Sequence, residues 1–202
     1  MTADVIYKSN LAAVVLQEKE FVQFRDLIYR IAGINMSPAK KPLVASRLAK
    51  RIKHYELASY GEYFQMIIAA DCKMELQMAV DLLTTNETHF CREPKHFDFL
   101  SRRILPARRP GKPLRIWSAA CSGGEEPYSI AMLLDDVMGS APWDIVASDL
   151  CVRVLEKVRT GLFPMERMLE IPQDYLSNYS QCKSRTSAGK TTSIYLRGRI
   201  FE

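Results

Sequence analysis

The first strong periodicity along the chain is Phe21, Phe24, Leu27, Ile28 and Ile31, apolar residues at the spacing of one helical face. It predicts an amphipathic helix whose buried stripe these five residues form, with Gly33 as its stop. Ser37-Pro38 then reads as the start of a second helix, Ser as N-cap and Pro in the first turn. Val44, Leu48, Ile52 and Tyr55 make its apolar stripe, and Lys40, Arg47, Lys50, Arg51 and His54 lie on a neighbouring one. Ser59-Tyr60-Gly61-Glu62 has capping-box spacing and opens a third helix, with Tyr60, Tyr63, Phe64, Ile67 and Ile68 on its buried face. A fourth covers about Glu75 to Leu83. The pattern then changes. Thr84 to Glu93 is polar and aperiodic, and Pro94 opens a helix to about Ile104. Leu114 to Ala120 reads as a buried strand, Cys121 to Pro127 as a tight loop and Tyr128 to Val137 as a helix. Trp143 to Asp149 is a second strand, and Leu150 to Thr160 is a helix stopped by Gly161. Strand, helix, strand, helix is the opening of a parallel sheet, so the fold expected is α/β: a small all-helical N-terminal domain, then an incomplete Rossmann-like βαβα domain. The boundaries expected are 1–83, 84–179 and a tail, 180–202.

Composition narrows the classes. The 202 residues include no apolar run long enough to span a bilayer, and Met1 to Asn10 does not read as a secretory signal. Five cysteines without a C-x-x-C pair fit reduced thiols in a cytoplasm, and three histidines without ligand spacing give no metal site. The net charge of +5 is uneven: residues 1–110 carry 17 Lys/Arg against 12 Asp/Glu, residues 111–179 carry 6 against 10, and residues 180–202 carry 5 against 1. A basic front domain suits an acidic partner. Nucleic acid is not expected, because the basic stripe lacks interleaved aromatics.

The chemistry would sit after the first strand. Gly123 and Gly124 allow backbone N–H groups to approach a ligand, and Asp149, at the tip of the second strand, is placed to bond ribose hydroxyls. A plain helix N-cap is the alternative for Asp149. Glu125 and Glu126 stand where a dinucleotide's pyrophosphate would need a bare helix terminus, so a cationic ligand group such as the ammonium of a methionine moiety fits better. Acids there also favour the helix dipole, and one Glu can do each job.

Three ordered motifs then carry a resemblance. Thr84-Thr85-Asn86-x-Thr88-x-Phe90-x-Arg92-Glu93, Trp117 through Cys121-Ser122-Gly123-Gly124-Glu125-Glu126-Pro127-Tyr128-Ser129, and Ala147-Ser148-Asp149 together resemble chemotaxis receptor glutamate methyltransferases of the CheR type. Val154 to Gly161 matches as well. The resemblance implies a cytoplasmic, monomeric enzyme that passes a methyl group from S-adenosylmethionine to receptor glutamates, giving methyl esters. It implies cofactor contacts at Asn86, Thr88, Arg92, Glu126 (the methionine end) and Asp149 (the ribose). Arg92 is also the catalytic candidate, beside the reacting carboxylate. It implies that Arg47, Lys50, Arg51 and Lys53 meet an acidic helix of a receptor, where the residues alone would read as a solvated face.

Family members continue with a small β-subdomain and further sheet strands, which this sequence is read as lacking. Residues 180–202 show no apolar periodicity and are expected to be a basic tail, disordered or non-native. The alternative function is therefore a catalytically impaired, truncated homologue that only binds receptor or cofactor.

Overall fold

The computed structural model describes residues 14–109, 111–185, 191–196 and 200–201. The reading of Met1–Asn10 and the side chain of Cys182 lie outside the described residues. The chain divides into two compact units, Met1–Thr84 and Thr85–Glu202.

The first unit is all helical: α1 (Glu18–Ala32), a 3₁₀ turn at Pro38–Lys40, α2 (Lys41–His54), α3 (Tyr60–Ile68) and α4 (Lys73–Leu83). Its core gathers Phe21, Phe24, Ile28, Val44, Leu48, Ile52, Tyr63, Ile67 and Val80, with Phe24 edge-on to Phe64 at 5.4 Å between ring centres. Gly33 ends α1 in the left-handed conformation, φ 67°. Three residues expected in the buried stripes are instead exposed: Ile31, Tyr55 and Ile68. Each stands in the last turn of its helix or just beyond it.

Helix starts are held by side chains. Glu62 N–H donates to Ser59 Oγ (3.1 Å), as the capping box requires, but the Glu62 carboxylate takes the N–H of Ala58 (2.8 Å), one residue before the expected partner. Glu20, buried at 5% exposure, accepts from Gln17 N–H and from Gly61 N–H, both at 2.7 Å, so one carboxylate serves the first turns of α1 and α3 together. A Cβ at position 61 would sit 3.0 Å from that oxygen, which explains the glycine. With its own core and caps, a polypeptide of residues 1–84 is expected to melt cooperatively by circular dichroism; a gradual, featureless loss of helix would count against it.

The second unit is mixed. A helical run from Pro94 to Ala107 comprises α5 (Pro94–Phe99), a π-wound stretch (Leu100–Ile104) and α6 (Leu105–Ala107). β1 (Leu114–Ala119), α7 (Glu125–Met138), β2 (Trp143–Ser148) and α8 (Val152–Thr160) follow. β1 and β2 are parallel, Leu114 opposite Trp143 and Ala119 opposite Ser148. α7 starts three residues before the expected position, so both glutamates fall in its first turn. It covers the sheet face that carries Leu114, Ile116 and Ile145 through Ala131, Leu134 and Met138. The other face, with Arg115 and Trp117, is open, and Trp117 is 69% exposed. That alternation is unusual for a parallel sheet, whose two faces are generally both covered.

Within the expected tail, 180–202, the described residues have strand backbone. After β3 (Leu162–Pro164), a 3₁₀ segment (Met165–Glu170) and α9 (Gln173–Tyr179) come β4 (Ser180–Arg185), β5 (Thr191–Leu196) and β6 (Ile200–Phe201). β3, β5 and β4 form an antiparallel sheet in that order, and β6 joins the parallel sheet beside β2. A small β-subdomain and a third parallel strand are thus present. Thr191, Thr192, Ile194 and Tyr195 suit a pleated strand, and pairing on both sides supplies backbone partners that no periodicity count registers.

Candidate functional site

Between β1 and α7 the backbone turns sharply. Ala120, Ser122 and Gly124 all have positive φ (61°, 51° and 99°). The loop is tied down by Asp149, whose carboxylate accepts from Ser122 N–H (2.9 Å) and Cys151 N–H (2.8 Å). Gly123 leaves room for the Glu125 carboxylate, which folds back over it; a Cβ there would lie 2.6 Å from Glu125 Oε2. Glu125 is 4% exposed, and its Oε2 and the Ser122 hydroxyl have no hydrogen-bond partner. Burial pushes the Glu125 carboxyl above its ordinary range, outweighing its backbone hydrogen bond and the nearby Arg167.

Facing the loop is the irregular stretch from Thr85 to Glu93. Phe90, 1% exposed, anchors it edge-on to Phe163 at 4.9 Å, and Cys91 N–H donates to Ser129 Oγ of α7 at 3.0 Å. Two clefts flank the contact between this stretch and the loop, and Thr88 and Ser122 line both. One, of about 400 Å³, is bounded by Asn86, Gly123, Glu125, Lys157 and Arg167. The other, of about 220 Å³, is bounded by Glu87, Arg92, His96, Ala120 and Glu126. Ser122 and Glu125, the residues that carry the two orphaned buried oxygens, both line the larger cleft. Its volume is of small-molecule size.

The structure therefore brings Asn86 and Thr88 to one cleft and Thr88, Arg92 and Glu126 to the other. Arg92 is exposed and donates through Nη1 to the Glu87 carbonyl at 3.0 Å. Glu126 accepts from Ser118 Oγ at 2.6 Å. Asp149 lines neither cleft; it stands behind the loop, and α8 begins at Val152 without a side-chain cap. The sequence singles out neither Ser122 nor Arg167, and it leaves open which of Glu125 and Glu126 does which job. Two acids in one helical turn do not reveal which is buried, and Arg167 follows α8 in an aperiodic stretch.

In the helical unit the four basic candidates separate. Arg47 Nη1 donates to the carbonyls of Leu83 (3.2 Å) and Thr84 (3.0 Å), closing the C-terminus of α4. Arg51 grips Glu75 through Nε (2.7 Å) and Nη2 (2.6 Å) and lies over the Tyr55 ring. The same carboxylate accepts from Tyr55 (2.9 Å) and Tyr63 (2.6 Å). Burial alone would raise the Glu75 carboxyl, but the hydrogen bonds from Arg51, Tyr63 and Tyr55 hold it below the ordinary range. Lys50 and Lys53 are exposed. Among the described residues no group of three or more His, Cys, Asp and Glu gathers as a metal site, and no helix is long and apolar enough to cross a membrane.

Comparison with known proteins gives two family matches: residues 19–84 to the CheR methyltransferase all-alpha domain, and residues 86–195 to the CheR methyltransferase SAM binding domain. The chain is 40% identical over 178 residues to chemotaxis protein methyltransferase 2 of Pseudomonas aeruginosa, covering 87% of this chain and 63% of that protein. It is 39% identical over 166 residues to the chemotaxis protein methyltransferase of Escherichia coli (81% and 57%), and 35% over 168 residues to that of Borreliella burgdorferi (78% and 59%). The chain thus spans roughly three fifths of the length of these curated relatives.

Proposed function

The chain belongs to the CheR methyltransferase family, and from that premise we propose that it binds S-adenosylmethionine in its second unit and serves methyl transfer to glutamate side chains of chemotaxis receptors in the cytoplasm. The observation that carries this reading is the meeting of Thr88 with the Ser122-Gly123 turn. There two clefts gather Asn86 on one side, and Arg92 and Glu126 on the other, with Thr88 and Ser122 lining both.

When bound, the cofactor supplies a methyl group already activated by its sulfonium. The chain has to place it and exclude water. Asn86 and Thr88 hold one side, the glycine turn lets the backbone come close, and Glu126 offers a carboxylate to the ammonium of the methionine end. Asp149 keeps the turn in shape and faces the ribose once a ligand is present. Arg92 spends one donor on Glu87, and its remaining N–H groups can fork onto a substrate carboxylate and fix its plane. The helical unit, taken as residues 1–83, offers Lys50 and Lys53 to an acidic receptor helix, with Arg47 and Arg51 supporting that face from within.

Calorimetric titration of the purified chain with S-adenosylmethionine tests the first half, and labelled methyl transfer to receptor fragments, scored as methanol released from the methyl ester by alkali, tests the second. Saturable binding with transfer is the expected result; absence of binding would sink the proposal. Binding without transfer would favour a binding module that does not turn over. One observation speaks for that second reading: among the described residues α7 covers one face of the parallel sheet, while Arg115 and Trp117 stand exposed on the other.

A further inference from the structure

The stretch from Thr85 to Glu93 has no ladder of its own, and Cys91 and Glu93 sit at positive φ (53° and 57°). Its shape must be imposed from outside. Three consecutive residues are held by one neighbouring segment, β3 with its 3₁₀ continuation. Arg167 Nη1 donates to the Thr88 carbonyl at 2.7 Å, Glu170 lies 3.2 Å from His89 Nδ1, and Phe163 packs on Phe90. Arg167 also faces the other wall of the larger cleft, with Nη1 3.9 Å from Oε1 of the buried Glu125. One guanidinium nitrogen therefore stands between both walls, the Thr88 stretch and the first turn of α7.

We infer that Arg167 is a positioning residue for cofactor binding: it sets the separation between Thr88 and the Ser122-Gly123-Glu125 wall without itself being required to touch the ligand. The inference rests on the cofactor reading above. A guanidinium suits the task, because Nη1 donates to the Thr88 carbonyl while the charge it shares lies near the Glu125 carboxylate, and the rigid plane of the group fixes both distances together. Lysine, with one terminal nitrogen, can serve the carbonyl while keeping the positive charge near Glu125.

The test compares the parent chain with Arg167→Met and Arg167→Lys by calorimetric titration with S-adenosylmethionine and by amide hydrogen exchange resolved along the chain. In Arg167→Met, affinity should fall at least tenfold, and exchange should accelerate in residues 86–91 while α7 and the two parallel strands β1 and β2 keep their protection. Arg167→Lys should recover a measurable part of both. Unchanged affinity in Arg167→Met overturns the inference. So does faster exchange throughout the second unit, or a Lys variant no better than Met, because either would make Arg167 an ordinary part of the fold. If the parent chain itself binds no cofactor, the functional reading fails. The exchange pattern then still decides whether Arg167 clamps the stretch.

Discussion

Glu75→Ala is expected to destabilise the helical unit by about 3 kcal/mol, lowering its melting temperature by roughly 15 °C. The carboxylate is the shared acceptor of Arg51, Tyr55 and Tyr63, and Tyr63 is fully buried. Removing it strands a buried phenol and a mostly covered guanidinium, and leaving such groups unpaired is dearer than never having had the bond. The pH dependence has a definite sign. The Glu75 carboxyl titrates below its ordinary range in the folded state, so its contribution is complete above the unfolded carboxyl pKa of about 4.3 and fades as pH falls through the lower folded value. Acidification should therefore cost the parent chain more stability than Glu75→Gln. Equal melting of parent and Glu75→Ala at pH 7 would show that the network carries no stability. By contrast, Lys50→Glu and Lys53→Glu should stay within about 0.5 kcal/mol of the parent, as exposed substitutions do. They are the cleaner probes of receptor docking.

Asp149→Ala should weaken S-adenosylmethionine binding at least tenfold, about 1.4 kcal/mol. Two backbone N–H groups lose a charged acceptor, and one of them, that of Ser122, belongs to a turn that carries three residues at positive φ, which local preference alone does not maintain. Asp149→Asn keeps one acceptor oxygen and should fall between the two. Calorimetry measures the affinities, and thermal melts separate loss of binding from loss of fold. An alanine variant that binds like the parent would reduce Asp149 to a local turn residue with no bearing on the cofactor.

The helical unit was largely legible in the sequence because each of its helices carries an apolar stripe, and Gly33 and Ser59 mark a stop and a start. What periodicity does not encode is the partner of a polar group. Arg47 and Arg51 share a stripe with Lys50, yet both are turned to Leu83, Thr84 and Glu75, residues some two dozen or more positions away. Glu20 reads as an ordinary first-turn acid, and its bond to Gly61 exists only once α1 and α3 have met. In the second unit the glycine turn and the aspartate at the strand tip announce themselves by spacing. The strands after Tyr179 do not, since they depend on neighbours rather than on their own alternation. Arg167 is invisible for the same reason: its role comes from Thr88, far away in the chain.

The open face of the parallel sheet also makes the molecule a convenient optical object. Both tryptophans of the chain, Trp117 and Trp143, lie on the adjacent strands β1 and β2, and the helical unit has none. Indole emission therefore reports the second unit alone, while helical ellipticity draws on both units. Trp117, mostly exposed, should be readily reached by a neutral collisional quencher, and its ring N–H donates at 3.0 Å to Ser148, the residue just before Asp149. A ligand that tightens the Asp149 turn would then be seen as a change in the colour and quenching of the chain's own indole emission, with no label attached.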